Sequence, residues 1–181
     1  MAKFFTELND DLRQFIAAQH IFFNASAPNR GRINVSPKGN DSFRVLNDQC
    51  VAYLDLTGSE CETAAHIAEN GRLTLMFCSF TTKPLILRLY GQGRVVRPRD
   101  AAWNDLRGQF PDLPGARQII LLDIESIMTT CGFAVPFFEY QGERAQLAEF
   151  TCNMGDERMD AYRRERNQQS IDGLPTHLFE D

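Results

Sequence analysis

The sequence has little that would signpost acid–base, nucleophilic or metal chemistry by its own side chains. It holds three histidines, His20, His66 and His177, and none stands at a metal-ligand spacing. His66, on a short helical stretch, reads as structural. The five cysteines, Cys50, Cys61, Cys78, Cys131 and Cys152, are odd in number and contain no CxxC pair. Most lie in strand-like runs and read as small apolar residues. There is no GxSxG elbow, and no Ser/His/Asp or Cys/His arrangement stands out. Gly91-Gln92-Gly93 lacks the third glycine of a dinucleotide fingerprint and falls inside a strand. Positive charge is also in deficit: 19 Lys and Arg face 24 Asp and Glu, for a net charge of -5. That balance argues against nucleic acid as the main ligand. The basic run Arg163, Arg164, Arg166 is offset by Glu165 and reads as a solvated helix face. No apolar run approaches the roughly 20 residues that cross a bilayer, and the N-terminus shows no leader pattern. The expectation is a cytoplasmic chain with no membrane partner, no internal repeat and no metal. Any reaction would fall to a bound cofactor.

What is present suits an ordinary globular domain, with 43% hydrophobic and 24% charged residues. The expected class is mostly β (α+β), in a single domain over residues 1–181. Residues 1–19 carry Phe4, Phe5, Leu8, Leu12, Phe15 and Ile16 at helical spacing, which predicts an N-terminal packing helix. Residues 20–130 read as a barrel. Strands are predicted from Ile21 to Ala25, Ile33 to Ser36 (stopping at Pro37, which cannot donate to a ladder), Phe43 to Leu46, Cys50 to Leu56, Leu73 to Phe80, Leu85 to Val96 and Ile119 to Ile124. The Pro28-Asn29-Arg30-Gly31 turn makes the first two a hairpin. Gly91 and Gly93 inside a long strand indicate a bulge, a bend or a close approach. A helix with Trp103 is predicted from Pro98 to Phe110. Residues 131–181 hold an irregular apolar segment, Cys131 to Phe138, two polar helices separated near Gly155, and a turn-rich tail.

The stretch from Arg32 to Arg72 organises the rest. Three strands feed the turn Thr57-Gly58-Ser59, and Ser59 with Glu62 matches a capping box that opens a helix ending at Gly71. Unpaired N–H groups at the positive end of a helix suit a phosphate. The same pattern is more commonly a plain strand-to-helix connection, by about two to one. Lys38 reads either as an anion contact or as a solvated loop lysine. Arg88 and Arg94 in a barrel strand call for partners, and Asp55, Asp123 or Glu125 would supply them for structural reasons alone.

Asn34-Val35-Ser36-Pro37-Lys38-Gly39, Ala52 to Ser59, Glu69 to Leu75 and Leu89-Tyr90-Gly91-Gln92-Gly93 resemble the pyridoxamine 5′-phosphate oxidase-related family. The likeness runs well from Phe22 to Val96 and more loosely beyond. It is closer still to a short branch carrying a Cys-Gly-aromatic-x-x-Pro loop, here Cys131 to Pro136, and a Ser-Ile-Asp-Gly-Leu-Pro tail, here Ser170 to Pro175. The resemblance implies a split β-barrel (the FMN-binding split barrel) with peripheral helices, a homodimer, and FMN at the subunit interface. It implies an FMN-dependent oxidoreductase acting on a small molecule of unknown identity. Asn34, Val35 and Ser36 would line the flavin ring, and Leu54, Leu56, Thr57, Gly58 and Ser59 would meet the ribityl chain and phosphate. The positions early in the helix where the family keeps Arg-Lys or Lys hold Glu62 and Thr63 here, so Lys38 or Arg88 would supply the positive charge. The Arg-Leu-x-Pro segment of true pyridoxamine phosphate oxidases is missing, which argues against vitamin B6 oxidation. The alternatives are a deazaflavin-dependent reductase, a non-catalytic flavin- or haem-binding protein, and an interaction module on the same barrel.

Overall fold

The computed structural model describes residues 2–179 and is built on one curved antiparallel sheet. The elements run β1 (Lys3–Phe5), α1 (Asp10–Ala17), β2 (Phe22–Ser26), β3 (Asn34–Lys38), β4 (Phe43–Asn47), β5 (Cys50–Leu56), α2 (Glu62–Asn70), β6 (Arg72–Cys78), β7 (Ile86–Val96), α3 (Trp103–Arg107), β8 (Ala116–Thr130) and α4 (Gln146–Arg166). The strand order is β3-β2-β6-β7-β8-β5-β4, with β1 added to the far end of β8. This is the mostly β split barrel with a few helices that the strand pattern foreshadows.

Side-chain alternation explains the curvature and the core. Leu73, Leu75 and Phe77 of β6, Leu87 and Leu89 of β7, and Phe22 of β2 point inward, where they meet Leu8, Leu12 and Ile16 of the N-terminal region. Strands β5 and β8 are covered on both faces, which is why Val51 to Asp55 and Arg117 to Leu122 read as continuous runs rather than alternating ones. Their second face packs Ala52, Leu54, Ile119 and Leu121 against Val96, Phe110 and the α3 residues Trp103 and Leu106.

Several boundaries differ from the sequence expectation, each for a local reason. The N-terminal helix does not begin at Phe4: Lys3–Phe5 pair with Ile127 to Thr129 as β1. The helix starts only after Asn9, whose side chain caps the Leu12 N–H at 3.0 Å. Strand β3 runs through Pro37 to Lys38, because β3 is an edge strand and the missing N–H faces away from β2. Helix α3 is shorter than Pro98 to Phe110. Strand β8 extends to Thr130, since its outer half pairs with both β7 and β1. Helix α4 is continuous in name but broken at Gly155 (φ 70°), which divides it where two helices are expected. Residues 131–145 lack regular structure.

Gly71 ends α2 in the left-handed region (φ 72°), its N–H returning to the Ile67 carbonyl. Gly91 is constrained differently. The β7–β8 register shifts between Tyr90 and Gly91, and a Cβ on Gly91 would overlap the carbonyl oxygen of Asp123 on the facing strand. Backbone cannot yield there without breaking the ladder. Gly91→Ala should therefore cost about 3 kcal/mol or more of stability, read as a lower urea midpoint, whereas Gly58→Ala, where an added Cβ meets nothing within 4 Å, should cost well under 1 kcal/mol.

Candidate functional site

The site is assembled where β3, β5 and β8 meet the first turn of α2. Asp55, near the end of β5, is buried to 4% exposure. Its Oδ2 accepts from Arg117 Nε at 2.8 Å and Gln118 Nε2 at 2.9 Å, and its Oδ1 accepts from Lys38 Nζ at 3.2 Å. The register dictates this meeting, since Asp55 stands opposite Gln118 in the β5–β8 ladder. Burial alone would raise the Asp55 carboxyl; the Arg117 and Lys38 charges, with hydrogen bonds from Arg117 and Gln118, outweigh it and hold the group well below the carboxylate range. Arg117, itself 3% exposed, is held charged by Asp55 against the cost of burial.

Arg117 also reaches the chain that opens α2, its NH2 donating to the Glu60 carbonyl at 2.7 Å. Its remaining NH1 is buried and has no hydrogen-bond partner among the described residues. Around it stand Ser36, Thr63 and Asn34. The Ser36 hydroxyl reaches Asn34 Oδ1 at 2.9 Å and the Glu60 carboxylate at 3.0 Å. Asn34 Nδ2 donates to the Thr63 hydroxyl at 3.0 Å, which also accepts from buried Asn24, and Asn24 in turn donates to Tyr53 at 3.1 Å. The void left between these groups is about 10 Å³, room for one water. Buried Arg117, with its orphaned guanidinium N–H, thus lies beside half-buried Lys38, two hydroxyls and the positive end of α2. That donor set can bind an anion.

The structure sorts the residues expected at the site. Asn34, Ser36, Lys38, Glu62 and Thr63 gather in it. Val35 points the other way, on the outer face of β3, at 61% exposure. Leu54 and Leu56 pack into the second core. Thr57 is fully buried, its hydroxyl donating to the Gly115 carbonyl at 2.8 Å and accepting from Arg163 Nε at 2.8 Å. The Gly58 carbonyl accepts from Asn167 at 3.0 Å. The turn is therefore held by the C-terminal helix. Ser59 is exposed and does not cap α2: the N-cap is Cys61, and Glu62 accepts from the Cys61 N–H at 3.0 Å and from the Ile171 N–H at 3.1 Å. The capping-box reading fails because Ser59 lies two residues before that N-cap. Arg88 lies outside the cluster, reaching Thr130 at 3.4 Å from the outer face of β7, while Arg94 does pair with Asp123 as a two-pronged contact.

Sequence reasoning missed Arg117, Gln118 and Glu60 as site residues. The available signal was Asp55 alone in the apolar run Val51 to Leu56, matched by Arg117-Gln118 at the head of another apolar run, Ile119 to Leu122. Isolated charges in two strands buried on both faces need each other.

The chain matches the family model described as "Pyridoxamine 5′-phosphate oxidase" over residues 8–131. It is 42% identical over 196 residues to the pyridoxamine 5′-phosphate oxidase family protein ustO of Aspergillus flavus, covering 97% of this chain and 78% of that one. This chain belongs to the pyridoxamine 5′-phosphate oxidase family. Among solved structures, HupZ of Group A Streptococcus superposes with a TM-score of 0.52 at 20% identity, covering 66% of this chain and 91% of the other. A Mesorhizobium loti FAD-binding protein superposes at 0.50 and 14% identity, covering 72% and 99%. At those identities the likeness shows the shared fold. Among the described residues, no helix is long and apolar enough to cross a membrane and no group of three or more His, Cys, Asp or Glu is placed to hold a metal.

Replacing Asp55 by Asn should leave buried Arg117 without its counter-ion and cost about 3–5 kcal/mol. Because the folded carboxyl sits below its unfolded value near 3.9, its contribution is complete above about pH 4 and fades as pH drops further. Urea titrations of parent and variant between neutral pH and pH 3 should show the gap between them shrinking only at the acid end.

Proposed function

We propose that this chain is a flavin-dependent oxidoreductase that takes FMN, with the flavin phosphate seated at the N-terminus of α2. The observation that carries this reading is the orphaned Arg117 NH1, buried beside Lys38, Ser36 and Thr63. Membership of the family and the FAD-binding neighbour on the same fold support a flavin. Ser36, Lys38, Thr63 and Arg117 would hold the phosphate, and the edge strand Asn34–Lys38, with Ile33 and Val35 exposed beside it, would flank the ring. Bound flavin supplies the capacity to accept and return electrons. The protein residues supply charge, hydrogen bonds and shelter from water.

The exposed apolar surface supports a homodimer as the working form. Phe133 is 82% exposed, Phe137 75% and Phe138 65%, all in the irregular segment before α4. Phe4 and Val35 add to the outer face of the sheet. Such surface suits a second copy, and an association that covers it should bury more than about 1,000 Å². Sedimentation at micromolar concentration should give twice the chain mass; a single-chain mass would remove the dimer from this reading.

Fluorescence titration tests the seat. FMN should bind more tightly than riboflavin, which lacks the phosphate. Lys38→Ala should weaken FMN by about tenfold to a hundredfold through loss of one charge-assisted contact, with riboflavin nearly unchanged. Equal affinity for both flavins in the parent would place the phosphate elsewhere.

A further inference from the structure

Apart from Arg117 NH1, the donors at the anion seat are met by the chain's own oxygens, most of them carboxylate. Asp55 takes Lys38 and two prongs from Arg117 and Gln118. Glu62 takes the Cys61 N–H. Glu60 takes the Ser36 hydroxyl at 3.0 Å, so its Oε2 stands where an oxygen of an incoming anion would accept. Lys38 and Arg117 against Asp55, Glu60 and Glu62 leave the cluster one negative charge in excess. The free volume of about 10 Å³ is too small for a phosphate.

The two halves of Glu60 are held differently. Its backbone is anchored, the carbonyl accepting from Arg117 NH2 at 2.7 Å. Its side chain belongs to an exposed residue and, among the described residues, is bonded to Ser36 alone. Asp55, by contrast, is buried and cannot leave without stranding two cations. The Glu60 carboxylate is therefore the group that gives way. Rotated into solvent about that fixed backbone, it would free the Ser36 hydroxyl and remove one like charge from the seat.

We propose that Glu60 is a built-in competitor for the phosphate, so that flavin nucleotide exchanges readily at this site instead of remaining as a permanently resident group. The proposal rests on the flavin reading above and specifies how the seat is regulated. Rebinding of Glu60 to Ser36 accompanies release of the nucleotide. No covalent step is involved, and the sole exchange is one acceptor for another on Ser36.

The experiment compares the parent with Glu60→Gln, an exposed and nearly isosteric change. FMN and riboflavin affinities are measured by quenching of flavin fluorescence, and FMN release by stopped-flow displacement. Glu60→Gln should bind FMN on the order of tenfold more tightly and release it correspondingly more slowly, with riboflavin affinity unchanged within about twofold. The variant should also retain FMN through gel filtration where the parent loses it. If FMN affinity and release are the same in both proteins while FMN still binds, the competitor role is overturned and the flavin reading stands. If neither protein binds either flavin, with both folded by thermal melting, both readings fall. A tightening of riboflavin equal to that of FMN would also overturn the proposal, because the effect would not involve the phosphate.

Discussion

The buried contact between Asp55 and Arg117 is the constraint on which the region around the site depends. Neither group could be tolerated alone in strands covered on both faces. Together they fix the β5–β8 pairing at the end nearest α2, draw Lys38 inward from the edge strand β3, and tether the Glu60 carbonyl ahead of the helix. One ion pair thus joins three strands and a helix start. The orphaned Arg117 NH1 follows from the same geometry, since Asp55 can satisfy only part of a guanidinium.

Much of the frame was legible in the sequence, and the reasons are specific. Period-two patterning in Leu73 to Phe77 and the continuous apolar runs Val51 to Leu54 and Ile119 to Leu122 mark half-buried and fully buried strands. Gly91 announced its bulge because only a residue without a side chain fits against the Asp123 carbonyl. Gly71 and Gly155 marked a helix end and a helix break. The opening residues misled because Phe4 and Phe5 fit a helical stripe, yet the exposed edge of β8 offers them a strand pairing that no local pattern encodes.

The site was legible only in part. Asn34, Ser36, Lys38 and Thr63 come together at the α2 entry, although the resemblance assigned Asn34 and Ser36 to the flavin ring. Thr57 and Gly58 did not stay available, because Arg163 and Asn167, more than a hundred residues later, claim them. A turn that looks open to a ligand in one dimension was closed by the chain itself. Arg117 lies 62 positions from Asp55 and 57 from Glu60, so its role emerges only once the register of β8 is known.

The tail that locks this region has a kinetic consequence. Asp172 meets Arg32 across 140 positions, and the Ile171 N–H meets Glu62 across 109. Contacts that close such long loops form late, after local hairpins have paid most of the ordering entropy. During synthesis the strands and α2 emerge well before residues 163–172, so the start of α2 passes through a stage in which its approach from that side is open. The finished chain then covers the start of α2 on that side, leaving the side of Ser36 and exposed Glu60 uncovered by it.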